Sequence, residues 1–146
     1  MDKETKREII LDNYQNPMNK GLKEDDSYIF ENTNNESCID NIDMMMKVEN
    51  KVIKDILFDG EACAICTSAT SIIIRSLIGK TLEEAEAIIV NYQNMINEKE
   101  YDKDLLGELN VYDDIYLQPN RKKCALLPSD AVEKILEVVR NGSRNK

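Results

Sequence analysis

Apolar residues follow two rhythms along this chain, and the changes between them mark its elements. From Lys3 to Tyr14 the spacing is helical, with Ile9, Ile10 and Leu11 together and Tyr14 one turn on. Asn16-Pro17 and Gly21 break that run, and Lys23 to Ser27 is a charged loop. Tyr28-Ile29-Phe30 reads as a short strand, followed by a polar turn from Glu31 to Ser37. Ile42 to Val48 and Val52 to Phe58 are strand-like, and Glu49-Asn50-Lys51 between them predicts a hairpin. Asp59-Gly60-Glu61 is expected to end its second strand.

The helical rhythm then returns. Ala62 to Leu77 predicts a buried helix stopped by Gly79. Thr81-Leu82-Glu83-Glu84 has the form of a capping box opening a helix to about Asn97. Residues 98–118 are acidic and irregular, with room for a short helix or two. Pro128-Ser129-Asp130 is expected to open a last amphipathic helix carrying Val132, Ile135, Leu136 and Val139 on one side, with Asn141 to Lys146 frayed. Strands and helices are segregated, so the pattern predicts an α+β domain of two layers, spanning residues 1–146.

Composition removes several function classes. The formal charge is −9, which disfavours nucleic acid and anionic membranes as partners. Ala69 to Ile78, the most apolar stretch, is too short to span a bilayer and is interrupted by Ser71, Arg75 and Ser76. The first residues lead into an amphipathic helix with no signal-peptide core, so a cytoplasmic location is expected. There is no histidine, which removes Ser-His-Asp and Cys-His catalysis and imidazole metal ligation. No phosphate-cradling glycine loop is present either.

What remains is cysteine chemistry. In a reducing compartment, four cysteines are thiols or ligands rather than disulfides. Cys38 precedes the hairpin with Asp40 two residues on, Cys63 follows it, and Cys124 is expected just before the last helix. A hairpin returns the chain to where it began, so Cys38, Asp40 and Cys63 can meet. Thiolates suit zinc and iron–sulfur clusters, and three thiolates with one carboxylate fill a tetrahedral site. Arg121 and Lys123 flank Cys124 with positive charge. Spacing alone leaves this open between a shared metal site and packed thiols. Cys66 is expected to pack in the core, with a fourth-ligand role as the rival. Met44-Met45-Met46 is expected to pack within its strand, and the charges of residues 98–114 to face solvent. Two further readings stand beside the shared site: a C-x-x-C thiol oxidoreductase using Cys63 and Cys66, and a structural zinc domain that docks partners.

The residues also resemble a family. Tyr14 to Gly21 is similar to the Y-x-N-P-x-N-x-G of iron–sulfur cluster scaffold proteins of the NifU N-terminal type. Asn34 to Asp40 resembles their N-P-x-C-G-D loop, Phe58 to Cys63 their F-x-G-x-G-C, and Arg121 to Leu127 their R-x-K-C-A-x-L. The resemblance runs from about Ile9 to Val138. Lys123 stands where the IscU branch carries a histidine ligand, and the sixty residues between Cys63 and Cys124 resemble the longer spacing of the SufU branch, with its insertion at 95–118. The chain departs from the pattern at Ile39 and Ala62 (glycines in the family), at Asn13 (commonly histidine) and at Cys66 (usually serine). The resemblance implies a small antiparallel three-stranded sheet packed on one side by several helices. It implies Cys38, Asp40, Cys63 and Cys124 as ligands of zinc or an iron–sulfur cluster. It also implies sulfur acceptance from a pyridoxal-phosphate cysteine desulfurase and delivery to apo iron–sulfur proteins. Cys38, on the loop expected to be most exposed, is the expected acceptor, with Cys124 beside Arg121 and Lys123 as its alternative. On this reading the protein is a scaffold and sulfur carrier rather than a conventional enzyme.

Overall fold

The computed structural model describes residues 1–33 and 41–144. Helix α1 (Lys3–Gln15) leads through an extended segment to strands β1 (Tyr28–Asn32), β2 (Asn41–Glu49) and β3 (Val52–Glu61). Helices α2 (Ala64–Leu77), α3 (Leu82–Ile96) and the one-turn α4 (Lys103–Leu106) follow, then 3₁₀ turns at Gly107–Tyr112 and Ile115–Leu117, and a long α5 (Pro119–Arg144). The strands form one antiparallel sheet in the order β1-β2-β3.

The hairpin closes as its sequence predicts. Asn50 and Lys51 both take positive φ, 53° and 63°, the mirror-image turn whose twist matches the flanking strands. Alternation then sorts the two sheet faces. Ile42, Met44 and Met46 of β2 and Ile56 and Phe58 of β3 turn into the core beneath the helices. The other face carries half-exposed Phe30, the Tyr28 phenol bonded to Asp55, and Asn32 bonded to Asp43. Among the described residues the helices cover the first of these faces, and the methionine run is strand packing.

The far end of the hairpin is tighter. β3 does not stop at Phe58 but pairs through Gly60 and Glu61, opposite Ile42 and Asn41. Gly60 has φ +135°, and a Cβ there would lie 2.2 Å from the Asn41 carbonyl oxygen. Only glycine accepts both that conformation and that approach. On the outer edge of β3 lies the segment around Asn19. The Gly21 amide donates to the Phe58 carbonyl, the Phe58 amide donates to the Asn19 carbonyl, and the Asn19 side chain donates to the Ile56 carbonyl. The Asn-Pro-Met-Asn-Lys-Gly motif is therefore a strap that satisfies a sheet edge.

Helix α2 is buried on nearly every side, from Ile65 through Ile74. α1, α5 and the first 3₁₀ turn pack on it. Its polar residues are all engaged: Thr70 donates to the Cys66 carbonyl, and Ser71 donates to Asn13 Oδ1 and accepts from the Met18 amide. Asn13 also accepts from Arg75 and donates to the Ile9 carbonyl, so the residue at the common histidine position is a buried bracket between α1 and α2. Thr81 and Glu84 form the expected capping box. Among residues 98–118, Leu106, Leu109, Val111, Tyr112 and Ile115 are core residues while the acidic ones face outward or pair, as Asp113 does with Lys6.

Three further expectations need correction. α5 opens at Pro119, so Cys124 lies inside it rather than before it. Proline is tolerated at the first position of a helix, and both Pro119 and Pro128 could have taken that place. Pro128 instead sits within α5, where Ser129 Oγ donates to the Leu126 carbonyl next to the break. The helix also continues through Asn141 to Arg144, rather than fraying there. Glu31 and Asn32 belong to β1, while the remainder of the proposed polar turn lies outside the described residues.

Gly60→Ala is expected to cost about 1–3 kcal/mol of unfolding free energy, from backbone strain and the displaced Asn41 carbonyl. Urea denaturation measures it, and Gly142→Ala, where a Cβ meets nothing within 4 Å, serves as the control.

Candidate metal centre

Cys63 sits where β3 hands the chain to α2. It is the N-cap of α2, exposed, with extended backbone, and its Sγ accepts the Cys66 amide at 3.4 Å. Cys66 is fully buried in the core among apolar side chains. Cys124 is half-buried on the second turn of α5, with Arg121 and Lys123 exposed beside it. The three described cysteines are thiols rather than disulfides. Cys38 and Asp40, with the neighbouring Ile39, lie outside the described residues. Among the described residues no three acidic or thiol side chains converge to hold a metal. A cavity of about 540 Å³, lined by Arg75, Lys80, Glu84, Asp104 and neighbours, lies elsewhere and contains no cysteine.

Two buried tyrosines tie the cysteine-bearing helices together. Tyr112 meets Ser68 of α2 at 2.5 Å, and since Ser68 Oγ donates to the Ile65 carbonyl at 3.1 Å, the phenol is the donor. Tyr92 of α3 donates at 2.7 Å to the carbonyl of Ala125, the residue after Cys124. The rings meet edge to face, 6.3 Å apart. Cys66 is within electrostatic reach of both phenols, and Cys63 of Tyr112. The brace thus joins the first turns of α2 to the Cys124 turn of α5. The Tyr92 bond also lies beside the stretch where Pro128 removes the N–H that would bond the Cys124 carbonyl. Reading the sequence for chemistry passed over these tyrosines, because a lone tyrosine in an apolar run looks like packing.

Burial pushes both phenols above the usual tyrosine range, Tyr92 well above it; Ser68 pulls Tyr112 partly back, and the nearby thiols push it further up. The unfolded chain releases these protons near pH 10 while the folded chain keeps them. Above that pH the unfolded state holds fewer protons, so stability is full below about pH 10 and falls as pH rises beyond it. Urea denaturation across that range is expected to show the fall, and Tyr92→Phe with Tyr112→Phe to make it shallower.

Comparison with known proteins agrees with this architecture. The family model for the NifU-like N terminal domain matches residues 5–137. The chain is 35% identical to the zinc-dependent sulfurtransferase SufU of Bacillus subtilis, over 88% of this chain and 86% of that protein. It is 32% identical to the iron–sulfur cluster assembly scaffold protein IscU of Thermotoga maritima, over 90% and 92%. The crystal structure of a putative iron–sulfur cluster assembly scaffold protein for the SUF system from Fervidobacterium islandicum superposes with a TM-score of 0.83 at 33% identity, covering 88% of this chain and 94% of that one. That likeness bears out the three-stranded antiparallel sheet with helices on one side, and the chain belongs to the family of NifU-like N-terminal domains.

Proposed function

We propose that this chain accepts sulfur from a pyridoxal-phosphate cysteine desulfurase and serves as a scaffold for iron–sulfur cluster assembly, with Cys38, Asp40, Cys63 and Cys124 as its ligand set. The observation that carries the reading is a buried tyrosine brace that ties Ser68 of α2, the helix capped by Cys63, to Ala125 of α5, the residue after Cys124. The register supports the other two members. β2 begins at Asn41, directly after Asp40, and Asn41 pairs with Glu61, two residues before Cys63. Three thiols and one carboxylate with no imidazole suit zinc as the resident ion and an iron–sulfur cluster as cargo. The names of the Bacillus and Thermotoga relatives point the same way.

Zinc bound there keeps its thiols deprotonated. Asp40, a hard oxygen donor among soft sulfurs, is the ligand most readily given up. Cys38 is the sulfur acceptor and Cys124 its alternative. The acceptor thiolate attacks the outer sulfur of the desulfurase persulfide, that S–S bond breaks, and the desulfurase cysteine leaves as a thiolate. Arg121 and Lys123 set positive charge beside the site on a chain of charge −9, where the anionic sulfur arrives. Apo iron–sulfur proteins take the finished cluster. The reading treats residues 95–118 as a SufU-type insertion, which supplies Tyr112 to the brace, and sets the protein in the cytoplasm. Among the described residues no helix is long and apolar enough to cross a membrane.

Metal analysis of the purified protein tests the ligand set. Zinc is expected at one ion per chain in wild type and in Cys66→Ser. It is expected to be lost in Cys38→Ser, Cys63→Ser and Cys124→Ser and weakened in Asp40→Ala. Full occupancy in all four ligand variants would remove the proposed site.

A further inference from the structure

Cys66, buried and outside the ligand set, stands in a particular relation to Cys63. Cys63 is the N-cap of α2 and Cys66 lies three residues on, so both belong to the first turn. The Cys66 amide donates to Cys63 Sγ, which holds that sulfur over the residue carrying the second thiol. Residues three apart on a helix have Cβ atoms about 5–6 Å apart. A disulfide needs about 3.5–4.5 Å. Cys63 has extended backbone, φ −67° and ψ 171°, so the gap would be closed by rotation at the cap, outside the helix, rather than within it. The two thiols differ sharply in access, Cys63 being exposed and Cys66 fully buried.

We propose that Cys63 and Cys66 form a reversible dithiol–disulfide couple, in which Cys63 meets the outside reagent and Cys66 resolves it. The oxidant class is a small-molecule disulfide. Cys63 as thiolate attacks one of its sulfurs, that S–S bond breaks, and one small thiol leaves with the electron pair and takes up a proton. Cys66 then attacks Cys63 Sγ and expels the second small thiol, which takes the Cys66 proton. Two protein thiols are oxidised by two electrons, and one small disulfide is reduced to two thiols. A reducing thiol reverses the sequence by attacking the exposed Cys63 sulfur. Burial is no obstacle for Cys66, because its only reaction partner is its neighbour. A consequence, which rests on the ligand reading above, is that closing the couple withdraws Cys63 from the metal. The site would then hold zinc only in the reduced chain.

The Asp55–Arg75 tryptic peptide contains Cys63 and Cys66 and neither other cysteine. The full-length protein is equilibrated in mixtures of reduced and oxidised glutathione, quenched by alkylation, digested and weighed. In wild type this peptide is expected to lose two hydrogens and both alkylation sites together. In Cys66→Ser and Cys66→Ala it is expected to carry glutathione on Cys63 instead. A wild-type peptide that carries glutathione as the variants do, or stays alkylated at both sites while the variants take up glutathione, overturns the couple. Zinc release, followed with a chromogenic chelator, reads the ligand assignment separately. Release in step with the disulfide supports Cys63 as a ligand, while a closed disulfide with zinc retained keeps the couple and removes Cys63 from the ligand set.

Discussion

Gly60 lies against the Asn41 carbonyl at a distance that leaves no room for a side chain, and much of the structure depends on that contact. It fixes the register of β2 on β3 at the end remote from the turn. A slip of β3 by one residue would place a Cβ in the contact and turn Ile56 and Phe58 out of the core. With the register fixed, the chain enters β2 directly after Asp40 and leaves β3 for Cys63 at the same end of the sheet. α2 then starts from a defined point. Because α2 is buried on nearly every side, its helical residues from Ile65 on cannot shift without moving α1, α5 and the sheet, while the Cys63 cap stands outside that packing.

The cysteines divide along that first turn. Cys63, the N-cap, faces water, and Cys66 faces the core. Thiol chemistry with a protein partner needs a sulfur that is reachable yet held in place, and a cap on a buried helix meets both conditions. The tyrosine brace extends the hold to the Cys124 turn of α5. Its phenols stay protonated because burial disfavours the phenolate, so they remain donors through the physiological range. Each such bond is worth about 1 kcal/mol net. Their larger effect is positional, since they link helices that the sequence separates widely.

Where local chemistry sufficed, the sequence was legible. Glu49-Asn50-Lys51 read as a turn, Thr81 and Glu84 as a capping box, and the run from Ala62 to Leu77 as a buried helix, which begins two residues later at Ala64. The family motifs announced both fold and cysteines. α5 was misplaced because two prolines competed for its first position, and carbonyls near Pro128 are satisfied by a tertiary partner, Tyr92, and by the local hydroxyl of Ser129. The continuation of β3 past Phe58 was hidden by Asp59-Gly60, which reads as a turn, whereas Gly60 is there for a close approach. Asn13, Tyr92 and Tyr112 carry no local signal, because their roles lie in partners 33 to 62 residues away. The lone C-x-x-C was visible as a spacing and Cys66 was expected to pack, but the place of Cys63 as the exposed cap of α2 was not.

The central claim is that Cys63 and Cys124 share one centre with Cys38 and Asp40 while Cys66 stays outside it. X-ray absorption at the zinc edge of the metal-loaded wild-type protein tests this most directly. The account predicts three sulfur neighbours at about 2.3 Å and one oxygen at about 2.0–2.2 Å. A shell of four sulfurs would put Cys66 in the site, a shell without sulfur would put the metal elsewhere, and either would contradict the account.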